Sequence, residues 1–121
     1  MEDTLKIIKE QVQGNVHVTV LHLRGWLDAQ SEGQLMDMAQ AAYTAGARYL
    51  VLDLTEVDTL TSAGMRIMQL IHKLFTPEKG FARVKLCNAP PHVYHVLKLT
   101  GFLQSLPMYE SLQIAIDSFE N

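Results

Sequence analysis

The chain has 121 residues, 48% of them hydrophobic and 19% charged, which predicts one soluble globular domain with enough apolar material for a core. The net charge of −3 and the lack of a clustered Lys/Arg patch argue against a nucleic-acid-binding protein. The single cysteine excludes an internal disulfide, and neither a signal peptide nor an apolar run long enough for membrane insertion is found, so we expect a cytoplasmic protein.

The N-terminal part of the chain predicts an antiparallel hairpin from about Leu5 to Leu23. Gly14-Asn15 is a two-residue turn signal, and valines alternate with polar residues behind it. The hairpin is expected to end at Arg24-Gly25. Asp28 is a suitable N-cap for a first helix, which Gly46 would end. The apolar stripe of this helix comprises Leu35, Met38, Ala39 and Ala42.

The middle of the chain predicts a buried strand, a polar loop and an amphipathic helix. The stretch from Tyr49 to Leu54 is apolar except for Asp53, which is typical of a strand covered on both faces. The acidic and hydroxyl-rich stretch from Thr55 to Thr61 is expected to be a loop. A helix follows as far as Phe75, with Ile67, Leu70, Ile71 and Leu74 predicted on its buried face. Its opposite, polar stripe comprises Ser62, Arg66, Gln69 and Lys73.

Ser62 is predicted to lie at the N-terminus of this helix, at the head of the polar stripe. Free backbone N–H groups and the helix dipole favour a phosphate at such a position, and Arg66 is one turn further along. Gly64 would let a partner approach the backbone closely. The simpler interpretation is that Ser62 or Thr61 is an ordinary helix cap, and the local physics alone favours it.

The C-terminal part of the chain is predicted to alternate strands and helices. The predicted elements are a strand from Phe81 to Cys87, a helix from Asn88 to about Leu99, a strand from Phe102 to Tyr109 and a helix from about Glu110 to Phe119. Because proline is tolerated on an edge strand but not in the centre of a sheet, Pro107 predicts that the last strand lies at an edge. The whole order is β-β-α-β-α-β-α-β-α, which predicts an α/β fold with a mixed, mostly parallel sheet, an N-terminal antiparallel hairpin and about four packed helices.

Motifs for catalysis or metal binding are weak. His92 and His95 have helical spacing, but without a cysteine or second acidic ligand they do not predict a metal site. Asp53 resembles the phosphoacceptor of a receiver domain, yet the acidic pair that would hold magnesium is missing, so Asp53 is expected to organise the following loop. Cys87 is expected to be a small buried residue. Because no nucleophile has an adjacent base, we predict a protein without enzymatic activity or cofactor.

The centre of the chain reads Leu52-Asp53-Leu54-Thr55-Glu56-Val57, followed by Leu60-Thr61-Ser62-Ala63-Gly64-Met65. This stretch resembles the signature of STAS domains, which occur in bacterial anti-sigma factor antagonists and in sulphate-transporter tails. Gly25-Trp26-Leu27-Asp28, Leu99-Thr100-Gly101-Phe102-Leu103 and Pro107-Met108-Tyr109-Glu110-Ser111-Leu112 are similar to further family segments. The resemblance covers essentially the whole chain and implies a single STAS domain over residues 1–121.

The resemblance implies a stand-alone anti-sigma factor antagonist. Such a protein binds an anti-sigma factor that is also a serine kinase and thereby frees a sigma factor. The kinase phosphorylates the serine that matches Ser62, and a metal-dependent serine/threonine phosphatase reverses this. Thr61 replaces the aspartate of the strict motif and is a secondary candidate, while Ala63 replaces its second serine. The implied partner-binding residues are Asp28, Glu56, Asp58, Thr61, Ser62, Ala63, Gly64, Met65, Arg66, Gln69 and Lys73.

Two other functions remain open from the sequence. The first is a STAS interaction subunit without phosphoregulation, such as a signalling scaffold or a soluble partner of a transporter. Phosphorylation of Ser62 would separate it from the switch. The second is a small-ligand or nucleotide-binding module, which stabilisation by a ligand would reveal.

Overall fold

A computed structural model describes residues 5–120. The strands are β1 (Leu5–Gln13), β2 (His17–Leu27), β3 (Leu50–Leu60), β4 (Val84–Cys87) and β5 (Met108–Tyr109). The helices are α1 (Glu32–Thr44), α2 (Ser62–Phe75), α3 (Pro91–Leu99) and α4 (Leu112–Asp117), and short 3₁₀ turns cover Ala29–Ser31 and Phe102–Gln104.

The strands form one five-stranded sheet in the order β1-β2-β3-β4-β5. β1 and β2 are antiparallel, whereas β2, β3, β4 and β5 run parallel to one another. The predicted mixed sheet with an N-terminal hairpin is therefore confirmed, as is the position of the last strand at an edge.

The two faces of the sheet are covered by different helices. Successive strand residues point to opposite faces, so each strand contributes to two separate clusters. One face carries the larger core, in which leucines of β2 and β3 such as Leu21 and Leu52 pack with residues of α1, α2 and α3. On the other face Val18, Val20 and Val51 pack against α4.

Several predicted boundaries are wrong. Residues 55–60, predicted as a loop, belong to β3, because β2 continues beside them as far as the pair Leu27 and Leu60. For the same reason β2 does not end at Arg24-Gly25. The strand predicted from Phe81 begins only at Val84. The predicted strand over 102–109 is a 3₁₀ turn followed by a two-residue strand.

The starts of three predicted helices differ in detail. Asn88 adopts a left-handed backbone with φ of 58°, so it ends the β4 segment, and the N-cap of α3 is Pro90. Asp28 does act as a cap, but of the 3₁₀ turn that precedes α1. The last helix begins at Leu112 behind Ser111, whose Oγ accepts a hydrogen bond from the Ile114 amide at 3.1 Å.

The buried face of α2 is set by Gly64. Residues three, four, seven and eleven positions after a residue share its helix face. Counting from Gly64, these positions are Ile67, Met68, Ile71 and Phe75, and all four are buried. The prediction of Leu70 on the buried face is wrong, since 41% of its surface is exposed.

Gly64 itself lies against the end of β2. A Cβ atom at this position would be 2.1 Å from the carbonyl oxygen of Leu27, which is backbone and cannot move aside cheaply. The glycine therefore permits close packing of α2 inside the protein. The explanation from the sequence, that Gly64 opens the backbone to a partner, is wrong.

We predict that Gly64→Ala destabilises the protein. The clash costs about 1–3 kcal/mol or more, and the higher helix propensity of alanine offsets about 1 kcal/mol of that. The measurement is the free energy of unfolding in urea.

The matched control for this prediction is Gly33→Ala in α1, where nothing lies within 4 Å of the added carbon. This variant should be stabilised by about 0.5–1 kcal/mol. Equal stabilities of the two variants would contradict the assigned packing role of Gly64.

Candidate functional site

The first turn of α2 gives Thr61 and Ser62 different roles. Thr61 is the N-cap: its backbone is extended, and its Oγ1 accepts a hydrogen bond from the Gly64 amide at 3.3 Å. The Thr61 amide is also held by the carbonyl of Leu27 at 3.1 Å. Ser62 is the first helical residue and is exposed, and none of the hydrogen bonds found within residues 5–120 engages its hydroxyl. Of the two candidate caps, Thr61 is therefore the cap, and the Ser62 hydroxyl faces solvent.

Asp58 connects three elements beside this turn. Its Oδ2 accepts a hydrogen bond at 3.2 Å from Nε1 of Trp26 on β2. Its backbone carbonyl lies 2.6 Å from Nε2 of His92 on α3. The side chain of Trp26 is 48% exposed although it is large and apolar. Asp58 thus fixes an exposed aromatic side chain next to the start of α2.

The other two predicted acidic residues differ in accessibility. Asp28 is half-buried, and its Oδ1 accepts hydrogen bonds from the amides of Gln30 at 3.0 Å and Ser31 at 3.3 Å. Its carboxylate therefore serves the local fold. Glu56 is exposed and lies 3.5 Å from Arg24 Nε, an exposed ion pair that contributes little to stability.

The predicted residues along α2 are only partly on its surface. Arg66 and Lys73 are exposed, and Ala63 is partly exposed. Met65 is half-buried, with its sulfur 3.8 Å from the hydroxyl of Thr100. The Gln69 amide donates inward to Ser105 Oγ at 3.3 Å, while its Oε1 is buried without a partner within residues 5–120.

Sequence reasoning missed two residues near this site. Trp26 and His92 are joined through Asp58. A signal for Trp26 was available, since the chain has a single tryptophan and it lies inside the Gly25–Asp28 match. We call the first turns of α2, with Thr61, Ser62, Met65 and Arg66, together with Trp26 and Asp58 on the strand ends beside them, the Ser62 surface.

A second polar cluster lies on the sheet, on neighbouring strands. His22 on β2 has Nδ1 at 2.7 Å from Asp53 Oδ2 and Nε2 at 2.8 Å from Glu10 Oε1. Burial alone would lower the pKa of His22, but the two carboxylates outweigh it and raise the pKa above 6.5. Asp53 Oδ1 also accepts a hydrogen bond from the Thr55 amide at 3.1 Å, so Asp53 organises the following residues as predicted.

The chemistry of this cluster is not that of a nucleophile or a metal centre. Burial, followed by the nearby Asp53 carboxylate, raises the pKa of the Cys87 thiol to about 12, so the thiol stays protonated at neutral pH. In the part of the chain that the structure describes, no group of three or more His, Cys, Asp or Glu side chains is arranged to hold a metal ion.

Within residues 5–120, no helix is both long and apolar enough to span a bilayer.

The chain belongs to the STAS domain family, whose sequence model matches residues 8–115. It is 29% identical over 116 residues to BtrV of Bordetella bronchiseptica, a protein named as an anti-sigma factor antagonist, with 96% of each chain covered. The crystal structure of an anti-sigma factor antagonist from Mycobacterium paratuberculosis is similar, with a TM-score of 0.78, 24% identity and coverage of 92% of this chain and 90% of that one. The anti-sigma factor antagonist SpoIIAA in its unphosphorylated form gives a TM-score of 0.67 at 19% identity, with 93% and 94% covered.

The His22 cluster predicts a pH dependence of stability. Because the folded pKa of His22 is raised, the charged ring stabilises the fold fully below pH 6.5, and this is lost as the pH rises through the folded pKa. His22→Gln should remove this component, which is less than about 1 kcal/mol because the ring is partly exposed. The measurement is the free energy of unfolding as a function of pH.

The control for the pH prediction is His95→Gln, which removes an exposed histidine on α3. It leaves the contacts of His22 with Glu10 and Asp53 in place, so the component assigned to His22 should remain. If His22→Gln kept it as well, the two carboxylates would not stabilise the charged ring.

Proposed function

We propose that this protein is an anti-sigma factor antagonist that acts as a partner switch controlled by phosphorylation of Ser62. In this proposal an anti-sigma factor with serine kinase activity binds the Ser62 surface, and its sigma factor is released. Phosphorylation by that kinase ends the interaction, and a metal-dependent serine phosphatase restores it. The observation that carries the proposal is that Ser62, at the first position of α2, is exposed and that its hydroxyl makes none of the hydrogen bonds found within residues 5–120.

The relatives support the proposed class of partner. BtrV, the mycobacterial protein and SpoIIAA all carry the name of anti-sigma factor antagonist. SpoIIAA is also known in a phosphorylated form, which has the same fold as this chain with a TM-score of 0.67. These names motivate the assignment to this chain, while the choice of Ser62 depends on its own geometry and on the matching motif.

The helix can accept a phosphate on Ser62 without unfolding. The fold of α2 depends on the Thr61 cap and on the packing of Gly64, and neither uses the Ser62 hydroxyl. Free backbone N–H groups and the positive end of the dipole at the helix start stabilise added negative charge. The switch therefore does not need a change of fold.

The effect of phosphorylation is expected at the interface. A phosphoserine carries about −1.5 to −2 charges at neutral pH and three acceptor oxygens. It would add to the negative charge of Asp58, which lies near the end of β3 and holds the exposed Trp26. Desolvating this added charge against a partner evolved for the neutral hydroxyl costs free energy, and like charges on the partner add repulsion.

Thr61 is the weaker candidate for phosphorylation. Its hydroxyl already caps α2, and its side chain is half-buried. A phosphate on Thr61 would have to be accommodated beside the packed Gly64 amide. We also propose that the protein acts by binding alone, without a catalytic step or cofactor of its own.

The proposal predicts different partner retention by three Ser62 baits. Wild type and Ser62→Ala should both retain an anti-sigma factor from an extract of the native cells, because alanine removes the acceptor without adding charge. Ser62→Asp should lose it by at least about tenfold, equivalent to about 1.4 kcal/mol. Quantitative mass spectrometry of the retained proteins is the measurement.

The control bait is Ser111→Asp. Ser111 is the N-cap of α4 on the other face of the sheet, and aspartate is also a good N-cap, so the same substitution adds charge away from the Ser62 surface. It should bind as wild type does. Equal retention by wild type and Ser62→Asp would instead make the protein a constitutive interaction subunit.

Trp26 gives an independent test of where the partner binds. It is the single tryptophan of the chain and is 48% exposed, so covering it should shift its fluorescence emission to shorter wavelength. Titration with a tryptophan-free version of the captured partner should produce this shift with wild type and a much weaker one with Ser62→Asp. Tight binding without any shift would place the interface away from the Ser62 surface.

A further inference from the structure

We propose that the outer edge of β1 is a self-complementary interface through which two copies of this chain join their sheets. β1 has nine residues and forms one end of the sheet, paired with β2 on its inner side. The opposite end of the sheet, β5, has only two residues. β1 is therefore the edge long enough to accept another strand by backbone hydrogen bonding.

The direction of the free backbone groups follows from the neighbouring strand. The Thr19 amide donates to the Tyr49 carbonyl at 2.9 Å, so Thr19 faces β3 and the alternate residues Val20 and His22 face β1. Their partners on β1, Glu10 and Ile8, therefore turn their backbone groups inward.

Ile7 and Lys9, which precede and follow Ile8, turn their backbone N–H and C=O groups outward. Leu5 has the same orientation, and its carbonyl accepts a hydrogen bond from the Gln34 side chain at 2.8 Å instead of from β2. This contact supports the assigned direction of the edge.

Twofold symmetry then limits how two β1 strands can pair. Two identical edges pair in antiparallel fashion about a twofold axis perpendicular to the sheet. The corresponding faces of the two copies then lie on the same side of the joined sheet. With the axis at Ile8, Ile8 faces Ile8 of the second copy. Lys6 of each copy then faces Glu10 of the other copy, which gives two identical pairs. Ile7 and Lys9 of opposite copies then form the hydrogen-bonded pairs, which agrees with their outward backbone groups.

The registers centred on Ile7, Lys9 and Glu10 are less favourable. An axis at Lys9 would set two lysines against each other, and an axis at Glu10 would set two glutamates against each other, both destabilising cross-strand pairs. An axis at Ile7 would place Lys6 against Ile8 and leave Glu10 beyond the paired stretch. The register centred on Ile8 matches opposite charges and like apolar side chains at once.

The side chains at this edge are available for the pairing. Ile8 is 68% exposed, and the Glu10 side chain is 52% exposed even though its Oε1 contacts His22. Ile8 pairs with His22, so it shares the sheet face of Val18 and Val20, beyond the part that α4 covers. In the proposed register the two Ile8 side chains form a non-hydrogen-bonded pair, whose side chains come closest together.

This interface is independent of the proposed partner switch. Ile8 lies on the α4 side of the sheet, whereas α2 packs on the other side. A single pair of edge strands is smaller than a standard protein interface, so we expect weak, reversible association. Lysines on a sheet edge commonly prevent such pairing, but here Lys6 has a matching carboxylate in the second copy.

The test exchanges the two charges. Sedimentation velocity up to about 1 mM protein should show wild type moving from 13.6 kDa towards twice that mass, as expected for a weak interface. Lys6→Glu and Glu10→Lys should each weaken self-association by about tenfold or more, because each sets like charges against each other twice. An equimolar mixture of these two variants should associate again, since every facing pair is then of opposite charge.

Lys9→Glu is the control, because Lys9 points to the other face and is opposite Ile7 in this register. It changes the net charge as Lys6→Glu does and should associate as wild type does. Circular dichroism melting checks that each variant is folded, and recovery in the mixture shows that the single variants keep a competent edge. A wild type that stays monomeric, single variants that associate normally, or a mixture that does not recover would each overturn the proposal.

Discussion

The position of the Ser62 surface depends on one backbone contact, between the first turn of α2 and the carbonyl of Leu27. That oxygen accepts the Thr61 amide at 3.1 Å and leaves no room for a side chain on Gly64. The helix start is therefore fixed against the end of β2, with the buried stripe of α2 counted from Gly64. Ser62 lies between the capping residue and this contact and is used by neither. A residue that the fold does not need, on a turn that the fold holds tightly, is well suited to modification.

The polar groups of the sheet serve structure and surface in different places. Glu10, His22 and Asp53 form a connected hydrogen-bonded cluster on three neighbouring strands. Near α2, Asp58 instead holds an exposed aromatic side chain and a histidine of α3. The first arrangement stabilises the sheet, whereas the second prepares a mixed polar and apolar surface that a protein partner can cover.

The order of elements could be predicted because each has a local signal: valine alternation in β2, the apolar run of β3 and the stripe of α2. The C-terminal end of β3 could not, because the stretch from Thr55 to Leu60 is polar and becomes a strand only through pairing with β2. Leu70 was misplaced because two apolar stripes overlap on α2, and only the packing of Gly64 against β2 shows which of them is buried. The contact of Trp26 with Asp58 joins residues 32 positions apart and was likewise invisible in the sequence.

The proposal that Ser62 is the modified residue of a partner-binding surface is tested most directly by mapping the phosphate. The complex with the captured partner is incubated with ATP and magnesium, and phosphorylated residues are assigned by tandem mass spectrometry while release is followed in the same sample. We expect a single phosphate on Ser62 that appears together with dissociation of the complex. A complex that dissociates without phosphate on Ser62, or that stays intact when Ser62 is fully phosphorylated, would contradict it.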